Sequence, residues 1–111
     1  MDMLTKLEEL ILLSVWGLKE NAYGSTIYKH IQKTTGKKLS LGGVYFPLER
    51  LTKKGYLNSY MGEATKERRG LSKRYYTLSG KGFEALNDTK RINDIMWAGY
   101  PVLAFMNTKN R

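Results

Sequence analysis

Residues 41–78 read LGGVYFPLERLTKKGYLNSYMGEATKERRGLSKRYYTL. Leu41, Val44, Leu48 and Leu51 are spaced 3, 4 and 3, the signature of one buried helical face. Ser40 is a good N-cap for that helix, and Gly55 ends it. Phe46, Glu49, Arg50 and Lys53 then project outward, with Tyr45 at the border. Pro47 lacks an N–H and crowds the carbonyl four residues back. Regular hydrogen bonding is therefore expected to begin late, near Val44, or the helix to bend. Tyr56–Met61 and Lys73–Leu78 alternate as strands do, around a basic turn in which Gly70 suits a left-handed backbone. Ser79 then starts another helix. A helix followed by a basic two-stranded hairpin is the layout of a winged helix-turn-helix. In that fold one helix enters a DNA groove and a charged wing rests on nearby phosphates.

Working outward, Thr5-Lys6-Leu7-Glu8 fits a capping box that opens a first helix. Its residues Leu7, Leu10, Ile11, Val15 and Leu18 form one stripe, and Leu12, Leu13 and Trp16 lie on the other side. A helix apolar nearly all round should be covered on both sides, one by its own domain and one by a partner chain. Asn21–Gly24 reads as a turn. A second helix is expected from Ser25 or Thr26 to about Thr35, with Ile27 and Ile31 in the core and Gly36 just past its end. The last helix carries two apolar sets: Phe83, Leu86, Trp97 and Tyr100 on one side, and Ala85, Ile92, Ile95 and Met96 on another. Two apolar faces on a terminal helix point to a subunit interface. Pro101 should end or kink it. The reading is mainly α with a small β-hairpin: residues 1–80 a winged helix-turn-helix domain, residues 81–111 a dimerisation helix and frayed tail.

Composition narrows the chemistry. The chain has 111 residues, no cysteine and one histidine, His30. Disulfides, thiolate metal sites and multi-histidine sites are excluded, and no cofactor is expected. His30 reads as a surface residue. No nucleophile–base pair or phosphate loop is visible, so an enzyme is not expected. The apolar run Leu10–Leu18 is too short to span a bilayer and lacks the flanks of a secretory signal, which points to a cytoplasmic protein. Net charge is +9. Residues 50–81 hold nine Lys/Arg against Glu63 and Glu67, while residues 1–49 and 82–111 are each close to neutral. Positive charge gathered at the recognition helix end and the wing is the footprint of a polyanion-binding face.

Several stretches together resemble the PadR-type transcriptional regulators. They are Leu10–Ser14, Tyr23-Gly24, Leu41-Gly42-Gly43-Val44-Tyr45, Leu48-Glu49-Arg50-Leu51, Lys54-Gly55-Tyr56-Leu57, Arg68-Arg69-Gly70, Lys73–Leu78 and Gly82. The resemblance runs over residues 5–82 in order and spacing, and the chain is similar to the short subfamily with a single C-terminal helix. It implies a homodimeric repressor whose last helix packs on the first helix of the partner. It also implies, for some short members, a planar, aromatic or cationic effector between subunits. Phe46-Pro47 departs from the family, where polar residues are commoner.

The candidate DNA-binding residues follow. Arg50 and Lys53 on the outward helix face would hold phosphate or read guanine. Ser40 and Gly43 either present backbone N–H groups to a phosphate or simply cap the helix. Tyr45 matches the family's tyrosine, which there contacts the DNA backbone, and Tyr23 stands just before the second helix. Lys66, Arg68 and Arg69 at the wing tip fit phosphate or minor-groove contacts. Lys73 and Arg74 alternate along a strand, which lets one of the two, taken as Lys73, face DNA. Leu12, Leu13, Trp16, Ile92, Ile95, Met96, Trp97 and Tyr100 are the expected dimer interface. Within it Trp16 and Trp97 either pack or stack on a flat small-molecule effector. The expected partners are double-stranded DNA and a second copy of the chain, with no membrane. A winged helix used only for protein contact is the competing reading, supported by Phe46-Pro47.

Overall fold

The structure, a computed structural model, describes residues 2–62 and 72–100. Helix α1 spans Lys6–Leu18 and is followed by a 3₁₀ turn at Lys19–Asn21. Helix α2 spans Gly24–Thr35 and α3 spans Gly42–Lys53. Strands β1 (Leu57–Met61) and β2 (Arg74–Leu78) pair antiparallel, with Leu57 opposite Leu78 and Met61 opposite Arg74. Helix α4 spans Gly80–Trp97. This is mainly helical with one hairpin, the winged-helix arrangement. No described helix is long and apolar enough to cross a membrane.

Local chemistry explains the boundaries. The capping box of α1 is complete: Glu8 N–H donates to Thr5 Oγ1 at 3.1 Å, and Thr5 N–H donates to Glu8 Oε1 at 2.8 Å. Gly36 closes α2 at φ +70°, its N–H donating to the Gln32 carbonyl. Gly55, at φ +85°, turns the chain from α3 into β1, the left-handed region that a Cβ disfavours. Ser79 caps α4 by accepting from Gly82 N–H at 3.0 Å.

The core is a single cluster where the helices meet the hairpin. Ile11, Leu12, Val15, Ile27, Ile31, Val44, Leu48, Leu51, Leu57, Tyr76, Ala85 and Leu86 are buried in it. Each large aliphatic side chain contributes roughly 1.5–3 kcal/mol by leaving water. The first turns of α4 belong to this core, since Gly82, Ala85 and Leu86 are all buried.

Five expectations change. Leu12, expected to face a partner, is fully buried in the protomer's own core beside Ile11 and Val15. The apolar arc of α1 is wide, and its inner half takes Leu12, leaving Leu13 and Trp16 outside. Leu41, expected on the buried face of α3, is 46% exposed, because it stands before the first helical turn. Pro47, outside the expected buried face, is buried inside the helix. Hydrogen bonding does begin at Val44 and Tyr45, whose N–H groups donate to the Leu41 carbonyl at 3.1 Å. Leu86, expected with Trp97 on a face for a subunit interface, is buried in the protomer's own core, whereas Trp97, three turns further along the same side of α4, is 63% exposed. Finally, Ala22 and Tyr23 are more than a turn. Tyr76 N–H donates to the Ala22 carbonyl at 2.9 Å and Tyr23 forms an isolated antiparallel bridge with Tyr75, so this segment lies against β2.

Candidate functional site

An open groove of about 590 Å³ lies between the start of α2, the outward side of α3 and the hairpin. Tyr23, Ser25, Tyr45, Glu49, Thr52, Lys53, Ser59, Ser72, Lys73, Arg74 and Tyr76 line it, with Gly24 at its floor. Three different elements build it, and each contributes for a local reason.

The pairing of Ala22–Tyr23 with β2 brings Tyr23 beside the hairpin. Its ring meets Tyr75 edge to face at 5.4 Å, and Tyr75 stacks on the cross-strand Tyr60 at 5.5 Å. Lys73 lies over the Tyr23 ring, its Nζ 4.1 Å from the centroid. The ring's negative face attracts the ammonium and holds it at the groove mouth. Arg74 is held from the other strand: its guanidinium donates to Ser59 Oγ at 3.1 Å. Ser59 pairs with Tyr76 in the register, so this is a diagonal cross-strand contact.

Tyr45 sits where α3 crosses the start of α2. Gly24 makes this approach possible: a Cβ there would lie 2.5 Å from both Cε1 and the hydroxyl oxygen of Tyr45. Tyr45 is half-exposed, its ring against Gly24 and its edge in the groove. Tyr76 closes the base of the groove. Burial pushes its phenol above the ordinary tyrosine pKa, while nearby Arg74 acts in the opposite direction. Glu49 brings one carboxylate into an otherwise basic wall.

Of the residues singled out in the sequence, Tyr23, Tyr45, Lys53 and Lys73 come together in this groove. Arg50 is exposed on α3 outside it. Ser40 and Gly43 satisfy each other, Gly43 N–H donating to Ser40 Oγ at 3.0 Å, which is capping. Lys66, Arg68 and Arg69 lie outside the described residues. The expectation that strand alternation separates Lys73 from Arg74 does not hold: both line the groove. Lys73 precedes the first residue of β2, so the alternation of the strand does not govern it. Arg74, Ser59 and Thr52 were missed. The strand register, once known, is the signal that finds Arg74.

A second feature lies away from the groove. Trp16 packs edge to face on Phe83 at 4.7 Å, joining α1 to the start of α4. Trp16 nevertheless remains 52% exposed and Leu13 42%. Ile95, Met96, Trp97 and Tyr100 at the far end of α4 are all more than 60% exposed. Ile92 is half-buried, near Asn93, which donates to Glu9 of α1 at 3.4 Å. Fourteen helical residues separate Phe83 from Trp97, or roughly 21 Å. Trp16 and Trp97 of one chain therefore stand at opposite ends of α4. No cluster of His, Cys, Asp or Glu among the described residues is arranged to hold a metal ion.

The model of the transcriptional regulator PadR-like family matches residues 12–88. The chain belongs to that family. It is accordingly a transcriptional regulator and not an enzyme. The matched span begins in α1 and ends inside α4, so it covers every element that builds the groove. Among solved structures, a PadR-like transcription factor from Bacteroides fragilis is 31% identical, with a TM-score of 0.65 over 81% of this chain and 85% of that one. A transcriptional regulator from Clostridium thermocellum is 26% identical, with a TM-score of 0.66 over 82% and 85%. A PadR-like transcriptional regulator from Bacillus cereus, at 24% identity, shares the fold with a TM-score of 0.64 over 95% and 91%. No curated protein matches the chain in sequence.

Proposed function

We propose that this PadR-like regulator is a cytoplasmic, homodimeric repressor that binds an inverted-repeat DNA operator. The observation that carries the reading is the groove between α3 and the hairpin. There Lys53, Lys73 and Arg74 line one open surface together with Tyr23 and Tyr45. Helix α3 enters the major groove, and the groove cations hold the phosphates beside it. The wing-tip residues Lys66, Arg68 and Arg69 extend the same contact. In a two-fold dimer the two α3 helices would lie about one DNA turn apart, roughly 34–36 Å. The exposed apolar end of α4, with Leu13 and Trp16 of α1, supports dimerisation. Residues 1–80 serve DNA and residues 81–111 the partner, although the first turns of α4 also complete the core.

The half-exposed tryptophans favour one additional reading. Trp16 and Trp97 of different subunits can approach where those of one subunit cannot, and a planar effector would stack between them. Titration with a flat cationic dye, followed by tryptophan quenching, tests this.

The decisive experiment is fluorescence anisotropy on duplex DNA from the gene's own upstream region and on scrambled duplex, across a salt series. Binding to both should weaken steeply with salt, because each neutralised phosphate releases a counterion. The double variant Lys73→Ala/Arg74→Ala removes two contacts per protomer. It should weaken binding on every sequence and flatten the logarithmic salt slope by about four in the dimer. An unchanged slope removes the groove from the interface. Absence of binding to either duplex at low salt would favour the protein-contact alternative.

A further inference from the structure

Resting on the DNA-binding reading above, we propose that Phe46 reads thymine methyl groups in the major groove. Phe46 therefore sets the operator's base preference. Phe46 is 68% exposed on a helix whose opposite face is fully buried. It stands three residues before Glu49, four before Arg50 and seven before Lys53, so it shares the centre of the outward face with them. Its ring leans toward the start of α3: a Cβ on Gly42 would lie 3.9 Å from Cε2 of Phe46. Glycine at 42 leaves the ring uncovered on that side. Leu41, 46% exposed, adds a second apolar group at the same end.

The start of a recognition helix is where base edges are met. At the start of this one, side chains for hydrogen-bonding readout are nearly absent. Leu41, Gly42, Gly43 and Phe46 have no polar side-chain atoms. Tyr45 is turned against Gly24 at the α2 crossing. Ser40 is spent on the Gly43 N–H. The apolar feature that B-DNA presents in its major groove is the C5-methyl of thymine. The surrounding charge selects the occupant. Arg50 and Lys53 flank the ring, and Lys73 and Arg74 stand across the neighbouring groove, a setting that favours a polyanion over an apolar protein surface.

The test begins with duplexes enriched from a random library by the intact protein. Each thymine of an enriched site is then replaced by deoxyuridine, which removes only the methyl group. Loss of one buried methyl corresponds to about a fourfold loss of affinity, or about 15-fold when both half-sites are changed. The expected result is such a loss at one symmetric pair of thymines for the native protein. Phe46→Ala should reduce it to less than about twofold, and Phe46→Leu should retain most of it. Phe46 is exposed, so neither variant threatens the core. Affinity insensitive to deoxyuridine at every position, in a protein that still enriches specific sites, overturns the proposal and leaves the DNA-binding reading intact. Equal methyl sensitivity in native protein and Phe46→Ala also overturns it, since another residue would then read the methyl. Failure to bind any duplex at low salt refutes the DNA-binding reading and this proposal with it.

Discussion

Gly82→Ala tests how α4 is seated on the winged-helix core. A Cβ at Gly82 would collide with the Tyr56 carbonyl oxygen, and would lie 2.7 Å from Cδ1 of Leu78 and 3.2 Å from the Tyr56 carbonyl carbon. Leu78 can rotate away, but the Tyr56 carbonyl cannot. It accepts from Ser79 N–H at 3.1 Å, and Tyr56 N–H is tied to the Leu51 carbonyl at 2.9 Å. To restore ordinary contact, near 3.5 Å, α4 must lift by about 1 Å. Lifting loosens two bonds that pin its start: Ser79 Oγ to the Gly55 carbonyl at 2.5 Å, and Lys81 Nζ to the Lys54 carbonyl at 2.9 Å. Overpacking costs about 1–3 kcal/mol, and the strained hydrogen bonds add about 1 kcal/mol. The helical preference for alanine over glycine returns at most about 1 kcal/mol. The net is a destabilisation of about 2 kcal/mol, or a fall in Tm of roughly 10 °C. Gly17→Ala is the control, since nothing lies within 4 Å of a Cβ there, and it should raise stability by about 0.5–1 kcal/mol. Thermal unfolding followed by circular dichroism, at one fixed protein concentration, reads both. A Gly82→Ala protein as stable as the native one would refute the claim that the Tyr56 carbonyl sets the approach of α4.

Gly24→Ala should push the Tyr45 ring out of the groove while changing stability by less than about 1 kcal/mol, because Tyr45 is half-exposed and free to swing. DNA affinity measured by anisotropy should fall about tenfold or more, the cost of one hydrogen bond to a charged phosphate. Unchanged affinity would take Tyr45 out of the interface. Leu12→Ala should cost about 2–5 kcal/mol in urea unfolding, because Leu12 is fully buried in the protomer. Leu13→Glu, by contrast, should leave the helical content intact and shift the mass seen by sedimentation toward monomer. The raised pKa of Tyr76, caused chiefly by burial, means that the fold favours its neutral phenol. That contribution is complete below the unfolded value of about 10 and is lost as pH rises through the higher folded value. Tyr76→Phe should therefore lose less stability between pH 9 and 11 than the native protein. Parallel urea curves in the two proteins across that range would refute it.

Much of the architecture was legible in the residues themselves. Local rules act within a few positions: the Thr5–Glu8 capping box, Gly36 and Gly55 in left-handed turns, Ser79 before α4, and the 4-3 spacing of Val44, Leu48 and Leu51. The basic segment 50–81 likewise pointed to a polyanion partner, the reading proposed above, because net charge does not depend on folding. Four of the groove's lining residues were legible too, Lys53 and Lys73 by charge and Tyr23 and Tyr45 by position and resemblance.

Tertiary structure decided the rest. Periodicity shows that α1 is apolar nearly all round but not which part of the arc its own domain covers, so Leu12 was assigned outward although it is buried. Helical spacing also ignores where a helix starts, which exposes Leu41 and turns Pro47 inward. The bridge from Tyr23 to β2 and the reach of Arg74 to Ser59 depend on which segments lie side by side. Sequence spacing carries the interactions of residues three or four apart, and it is silent on those brought together by chain packing. The family and the charge of this regulator are written locally. The shape of its groove and the seat of α4 against the Tyr56 carbonyl come from the meeting of distant elements, where a side chain's neighbours are set by packing rather than by its place in the chain.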